Sequence, residues 1–228
     1  MVPKPSPGSV EALTIRLESS SVQCEGSNMD ALTTLPGQNN KGPILEALQK
    51  QLSPQHNVLE LGSGTGQHLG FLAAHFPQQI FYPSDAVPDR FESIEAWIAQ
   101  SPTQNIQAPR VLRLGTEWWL EAPKVESLLL INVLQTIGAT EISSLVQGCM
   151  SVEGLKQVLI YSPFKRNGQF VSESDQRFDE WIKQKNGSQA GVKDLETLTT
   201  HFDTAGFKRL DVLDMPKGNF FVHFEAHR

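Results

Sequence analysis

The chain is poor in cysteine, with only Cys24 and Cys149. Their separation makes neither a metal-ligand spacing nor a disulfide framework, which points to a reducing, cytoplasmic setting. Long apolar runs are missing as well. Nothing approaches the roughly 20 residues that cross a bilayer, and the first stretch, MVPKPSPGSVEALTIRLESS, lacks the apolar core of a secretion signal. The expectation is a cytoplasmic protein with no membrane partner. Excess positive charge is also absent: 19 Lys and Arg stand against 25 Asp and Glu, a net charge of -6. Without a basic run there is no face of the kind a nucleic-acid binder shows, so no nucleic acid is expected. The histidines fall into no HExxH-like spacing, so no metal is expected. Neither a GxSxG elbow nor a Cys–His pattern suggests a hydrolase. What remains is a chain of 228 residues, long enough to bury one full core.

Its organisation follows from punctuation and periodicity. Residues 1–38 are rich in Ser, Pro and Gly, and Ser19–Asn28 has little apolar periodicity. They read either as a partly disordered tail or as a lid over the site. A single domain is expected over 39–228. Ile44, Leu45, Leu48 and Leu52 recur at helical spacing after Pro43 and predict a helix over 42–52. Strands and helices then alternate. Strands are expected at 57–61, 80–82, 110–114, 127–132 and 157–161, and helices at 67–74, 88–100 and 139–150. A loop at 162–172 precedes helices around 174–185 and 193–205. Two strands, 207–214 and 219–226, close the chain around a turn at Pro216–Gly218. Alternation of this kind predicts an α/β, doubly wound, Rossmann-like sheet, mostly parallel with an antiparallel last strand.

The chemistry gathers at the run VLELGSGTG, residues 58–66. A strand entering a glycine turn and then a helix is a place where a ligand meets backbone closely. Gly62, Gly64 and Gly66 are followed by Gln67, where a dinucleotide fingerprint would carry its third glycine. No Lys-Ser/Thr pair follows, which disfavours a triphosphate cradle. Glu60 lies within the apolar strand, where a carboxylate is costly without partners. It either fixes the turn or holds the positive end of a ligand. Asp85 follows the second strand, 19 residues beyond Gly66, at the distance of a carboxylate that accepts from two ribose hydroxyls. Its alternative role is as a cap of the next helix. The combination narrows the ligand to S-adenosyl-L-methionine, held by Glu60, Gly62, Ser63, Gly64, Thr65, Gly66 and Asp85.

Ligands in such sheets sit beyond the C-terminal strand ends, which adds Asn132 at the end of the fourth strand. Asn132 binds the ligand there or serves as a turn or cap residue. His68, just after the glycines, reads equally as a contact to the ligand's carboxylate or as a solvated helix position. Asn40, Gln135, Tyr161, Phe164 and Phe170 are the candidate walls of a substrate pocket, with aromatics at strand ends also reading as ordinary core.

The sequence resembles class I S-adenosylmethionine-dependent methyltransferases, and within them the methyltransferase-like 26 family, also called domain of unknown function 938. The resemblance rests on NKGPILEAL at 40–48, VLELGSGTGQH at 58–68, YPSDAVPDRFESIEAW at 82–97, YSPFKRNGQF at 161–170, SESDQRFDEWI at 172–182, GVKDLETL at 191–198 and MPKGN at 215–219. It implies a seven-stranded fold and S-adenosylmethionine as cofactor, and it supplies no substrate. Three positions depart from the family's usual pattern. Arg113 stands where an Asp is usual, Gln135 where a His is usual, and Ser162 where a Gly precedes Pro-Phe. The expected function is methyl transfer to a small molecule. A non-catalytic module that binds the cofactor or its product is the alternative, motivated by Arg113 and Gln135. A nicotinamide oxidoreductase is disfavoured by the spacing at Gln67. The residues assign no catalytic base and set no oligomeric state.

Overall fold

A computed structural model describes residues 31–227. Most of the segment read as a tail or lid, residues 1–30, therefore lies outside the described residues. Its last part belongs to the folded domain. Helix α1 runs Leu35–Gln51, seven residues earlier than its apolar periodicity suggested. The Thr34 hydroxyl accepts from the Gly37 N–H at 3.1 Å, and Pro36 occupies the first turn, where its missing N–H costs nothing. Pro36 and Gly37 look like helix breakers in the sequence, yet here they are a helix start.

From α1 the chain alternates as expected. Strand β1 is Val58–Leu61, α2 Gln67–Ala73 and β2 Phe81–Asp85. A short 3-10 turn at Pro88–Arg90 leads into α3, Phe91–Gln100. Strand β3 keeps only Arg110–Val111 of the expected 110–114. Then come β4, Ser127–Ile131, α4, Ala139–Ser151, and β5, Gln157–Lys165. Helix α5 spans Glu173–Asn186, β6 Lys193–Asp194 and α6 Leu195–Thr204. Strands β7, Phe207–Met215, and β8, Asn219–Ala226, finish the chain.

The sheet order is β3-β2-β1-β4-β5-β8-β7, with β6 also pairing on β5. Pairs among β1 to β6 are parallel, whereas β8 runs antiparallel to both β5 and β7. The eighth strand, beyond the seven expected, is the two-residue β6. Strand β5 also outruns its expected end at Tyr161, because Pro163 reads as a breaker. Strand β4 pairs with β5 only as far as Tyr161, and β6 begins at Phe164. Pro163 falls in the gap between them, where the missing N–H breaks no ladder bond.

Both faces of the sheet are covered, and each has its own apolar cluster. One face packs α1 and α2 through Ile44, Leu48, Leu69 and Leu72. The other packs α4 and α6 through Leu145, Cys149, Leu198 and Phe202. Each fully buried Leu or Phe contributes about 1.5–3 kcal/mol, so the central strands are held from two sides. The C-terminal ends of β1, β2, β4 and β5 all point the same way, and the site forms there.

Candidate functional site

The turn after β1 is shaped by its neighbours. The N–H groups of Gly62 and Ser63 both bond the Ser84 carbonyl, at 2.9 and 2.8 Å. That of Gly64 bonds Asp85 Oδ2 at 2.9 Å, and that of Gly66 bonds the Ser63 carbonyl at 2.9 Å. These four donors are spent on the turn itself, so the turn offers a ligand space more than hydrogen bonds. Gly66 has φ +80, and a Cβ there would lie 3.0 Å from Ile94 Cα, so a side chain would push α3 away. Gly64 has φ +55 and nothing within 4 Å of where a Cβ would stand. The open side of the turn is at Gly64.

Beneath it lies Glu60, 2% exposed. Its Oε2 has no hydrogen-bond partner among the described residues. Burial raises its pKa to about 7, with the nearby Asp85 carboxylate raising it further and a hydrogen bond from Ser63 opposing the rise. Ser63 also accepts from the Ser84 N–H at 3.2 Å, and Thr65 gives its carbonyl to Ser93 Oγ at 2.7 Å. Asp85 accepts from Val87 N–H as well as from Gly64, so it braces both the turn and the start of the next loop. Each carboxylate oxygen retains a second lone pair for a ligand hydroxyl. A buried orphaned carboxylate, an open glycine and a second carboxylate at the end of β2 together fit a cationic ligand bearing a ribose, as S-adenosylmethionine does.

Arg113, in place of the usual Asp, is exposed and turns its Nη2 onto the Ala86 carbonyl at 3.0 Å. Asn132 adopts φ 57 directly after β4 and bonds its N–H to the Tyr161 carbonyl at 2.9 Å. It is a left-handed turn residue, which Asn tolerates well.

Beside Asn132 opens a cavity of about 900 Å³. Its walls come from the first turns of α1, the ends of β4 and β5, helix α5 and the β7–β8 turn. Of the residues singled out from the sequence, Asn40, Asn132, Gln135 and Tyr161 line it. Phe164 does not. Successive strand residues face opposite ways, so Tyr161 and Pro163 face the cavity while Phe164 enters the α4–α6 core, its ring 6.4 Å from Phe220. Phe170 is also absent from the lining; the Lys165 ammonium lies 4.4 Å above its ring.

Two departures from the family pattern prove to be neighbours. The Ser162 hydroxyl donates to Gln135 Oε1 at 2.9 Å, which leaves the Gln135 amide N–H groups as the donors available to the cavity. His68 is half-buried and bonds Asn40 Oδ1 at 2.7 Å, which corrects its reading as a solvated helix position. Burial, reinforced by Lys41, lowers its pKa to about 4, so at neutral pH the ring is uncharged and donates from Nε2. Asn40 in turn hydrogen-bonds the Tyr161 hydroxyl, partly offsetting the upward shift that burial gives it.

Several contributing residues escaped the sequence reading. Gln67 Oε1 accepts from the Thr34 N–H at 2.7 Å, and Ser93 Oγ accepts from the Leu32 N–H at 2.9 Å. These bonds tie the entry to α1 against the glycine turn. Asp175, Phe178 and Trp181 of α5 reach the cavity. Nothing in their local spacing separates them from an ordinary amphipathic helix.

The sheet order, the reversed last strand and the glycine turn are those of the methyltransferase fold, and solved structures agree. An O-methyltransferase family protein from Burkholderia thailandensis superposes with a TM-score of 0.70 at 12% identity, over 83% of this chain and 58% of the other. TnmH gives 0.68 at 22% identity, over 84% and 56%. Human N-acetylserotonin methyltransferase, solved in complex with SAM, gives 0.65 at 13%, over 83% and 52%. The chain thus spans a little over half the length of these structures. Residues 33–226 match the family described as Protein of unknown function (DUF938), and the chain belongs to that family.

Proposed function

We propose that this protein is an S-adenosylmethionine-dependent methyltransferase acting on a small molecule. The observation that carries the reading is Glu60: a buried carboxylate with an orphaned oxygen, near the end of the strand that enters a turn left open at Gly64. Such a group calls for a positively charged partner, and the methionine end of the cofactor provides one. Glu60 would hold that end, the space at Gly64 would admit the ligand against the backbone, and Asp85 would accept from the ribose hydroxyls. The bound cofactor supplies a methyl group already activated on its sulfonium.

The protein's part in such a transfer is alignment and exclusion of water. Asn132, Tyr161 and Gln135 line the cavity, and Val133, between Asn132 and Gln135 in sequence, stands against Gly62 of the glycine turn. The neutral His68 fixes the Asn40 amide, which in turn orients the Tyr161 hydroxyl. Gln135 presents amide donors and takes up no proton, so its role is to orient an acceptor. A cavity of about 900 Å³ has the size of a small-molecule site.

Calorimetry with S-adenosylmethionine and S-adenosylhomocysteine tests the cofactor half. A turnover assay against a metabolite pool tests the transfer half. Binding of both compounds with release of the homocysteine product is the expected result. Binding without turnover across a broad pool would establish the second reading, a non-catalytic cofactor-binding module, which the replacement of a titratable His by Gln135 favours. No binding of either compound would remove both.

A further inference from the structure

Asp175 is a buried carboxylate that neither the fold nor the cofactor site accounts for. It is 6% exposed, lines the cavity, and its Oδ2 has no hydrogen-bond partner among the described residues. None of the ion pairs within those residues reaches it. It occupies the first turn of α5, where the helix dipole favours a negative charge. A carboxylate at this position commonly reaches back to the N-cap N–H. Here the capping runs the other way only, from the Asp175 N–H to Ser172 Oγ at 3.2 Å. The carboxylate lies instead against Gly218 of the β7–β8 turn, where a Cβ would come within 3.0 Å of Oδ2. Gly218 thus leaves the carboxylate its place at the cavity wall.

The surroundings say what would pair with it. Leu35, Pro36, Pro163, Phe178, Trp181 and Ile182 make most of the lining apolar. Phe178 and Trp181 are stacked, ring centroids 5.9 Å apart at 25°, and present a broad aromatic surface. The two lysines of the lining, Lys185 and Lys217, are exposed, and the Lys185 ammonium sits 4.9 Å from the Trp181 ring. The inner end of the cavity is therefore negative and its rim positive. A ligand cation is attracted by Asp175 against the opposing charge of the rim, and an apolar planar body fits the walls.

We propose that this cavity binds an arylalkylamine in its ammonium form, with the ammonium donating to Asp175 and the ring lying against Phe178 and Trp181. That such a molecule is also the methyl acceptor rests on the transferase reading; its binding does not. Calorimetry on the full chain without cofactor provides the test, using 2-phenylethylamine, tyramine and 3-(4-hydroxyphenyl)propionate as probes. Both amines should bind, and the carboxylate, which carries the same phenol as tyramine, should bind at least about tenfold more weakly. In Asp175→Asn that preference should vanish.

Equal binding of the carboxylate, no binding of either amine at millimolar concentration, or a preference that survives Asp175→Asn would overturn the proposal. If Asp175→Asn fails to fold by circular dichroism, Trp181→Ala decides, because Trp181 is 45% exposed and its loss leaves the core intact. Unchanged amine affinity in that variant is equally fatal. Cofactor binding measured on the same sample keeps the two readings apart: a protein that binds the amines but fails to bind S-adenosylmethionine sinks the transferase alone, and one that binds S-adenosylmethionine but not the amines sinks this site alone.

Discussion

Glu60 shows how one residue couples the site to pH. Its carboxyl titrates near 7 because the fold removes it from water. Between the ordinary value of 4.5 and about 7 the native state therefore holds more protons than the unfolded chain, and this group's contribution to stability is lost as pH rises through that window. A cationic ligand reverses the preference and must displace the proton. Affinity for S-adenosylmethionine should thus climb with pH below about 7, approaching tenfold per unit, the slope of one released proton. Calorimetry in buffers of different ionisation enthalpy would count that proton, and Glu60→Gln should bind weakly with a flat profile. A flat profile in the parent protein would count against Glu60 as the partner. Gly64→Val should abolish binding at every pH, since it fills the open side of the turn and strains a backbone at φ +55. Asp85→Ala should cost about 1–3 kcal/mol of affinity, the range for a lost charged acceptor.

At the scale of elements, the sequence displayed alternation far better than extent. Apolar strand cores such as LLLI at 128–131 and the helical periodicity after Pro43 placed nearly every element. Ends were misread where proline or glycine acquires a different meaning from tertiary context: Pro36 and Gly37 start α1, and Pro163 lies harmlessly within β5. The glycine turn, Glu60 and Asp85 were legible because the backbone there needs particular residues at fixed spacing. The cavity wall on α5 was not, since Asp175 gains meaning only when the β7–β8 turn folds against it.

The same tertiary logic governs the opposite end of the sheet. There Gln157 donates to the Gln51 carbonyl at 2.6 Å and contacts His223 Nε2 at 2.8 Å, while His56 bonds Ser127 Oγ at 3.0 Å. This network fastens the last turn of α1 to the strand starts, far along the strands from the glycine turn. Gln157→Leu should therefore destabilise the protein by about 1–3 kcal/mol, because it strands buried polar partners, and should leave cofactor affinity intact. Burial lowers the pKa values of His56, His68 and His223. The unfolded chain binds protons at these three sites first, so together they should lower stability as pH drops below 6.5, with the His68 share continuing to about 4, while Glu60 alone acts in the opposite direction. Thermal melts of Glu60→Gln, which removes the opposing carboxyl, would check it. A melting temperature of that variant unchanged down to pH 5 would contradict the buried, neutral histidines.

Across the whole molecule, rigidity and adaptability are unevenly distributed. Two apolar clusters grip the central strands from either face, and the glycine turn is stitched to β2 and α3 by its own backbone. The beginning of α1 is held differently. Leu35 is 75% exposed, and residues 32–34 are joined to the domain chiefly through Gln67, Ser93 and the Trp97 Nε1–H, which donates to the Leu32 carbonyl at 3.1 Å. Those anchors stand on α2 and α3, the two helices that frame the turn, while Asn39 and Asn40 from the same stretch line the cavity. Ligand in the turn should fix α2 and α3, tighten these few bonds, and so quieten the entry to α1 without a new contact there. Hydrogen exchange with and without S-adenosylhomocysteine should show slower exchange at 34–40 as well as at 62–68. Gln67→Ala, which removes the acceptor of the Thr34 N–H, should uncouple the first segment and leave the second protected. Protection confined to 62–68 in the parent protein would mean that the start of α1 does not respond to the cofactor site.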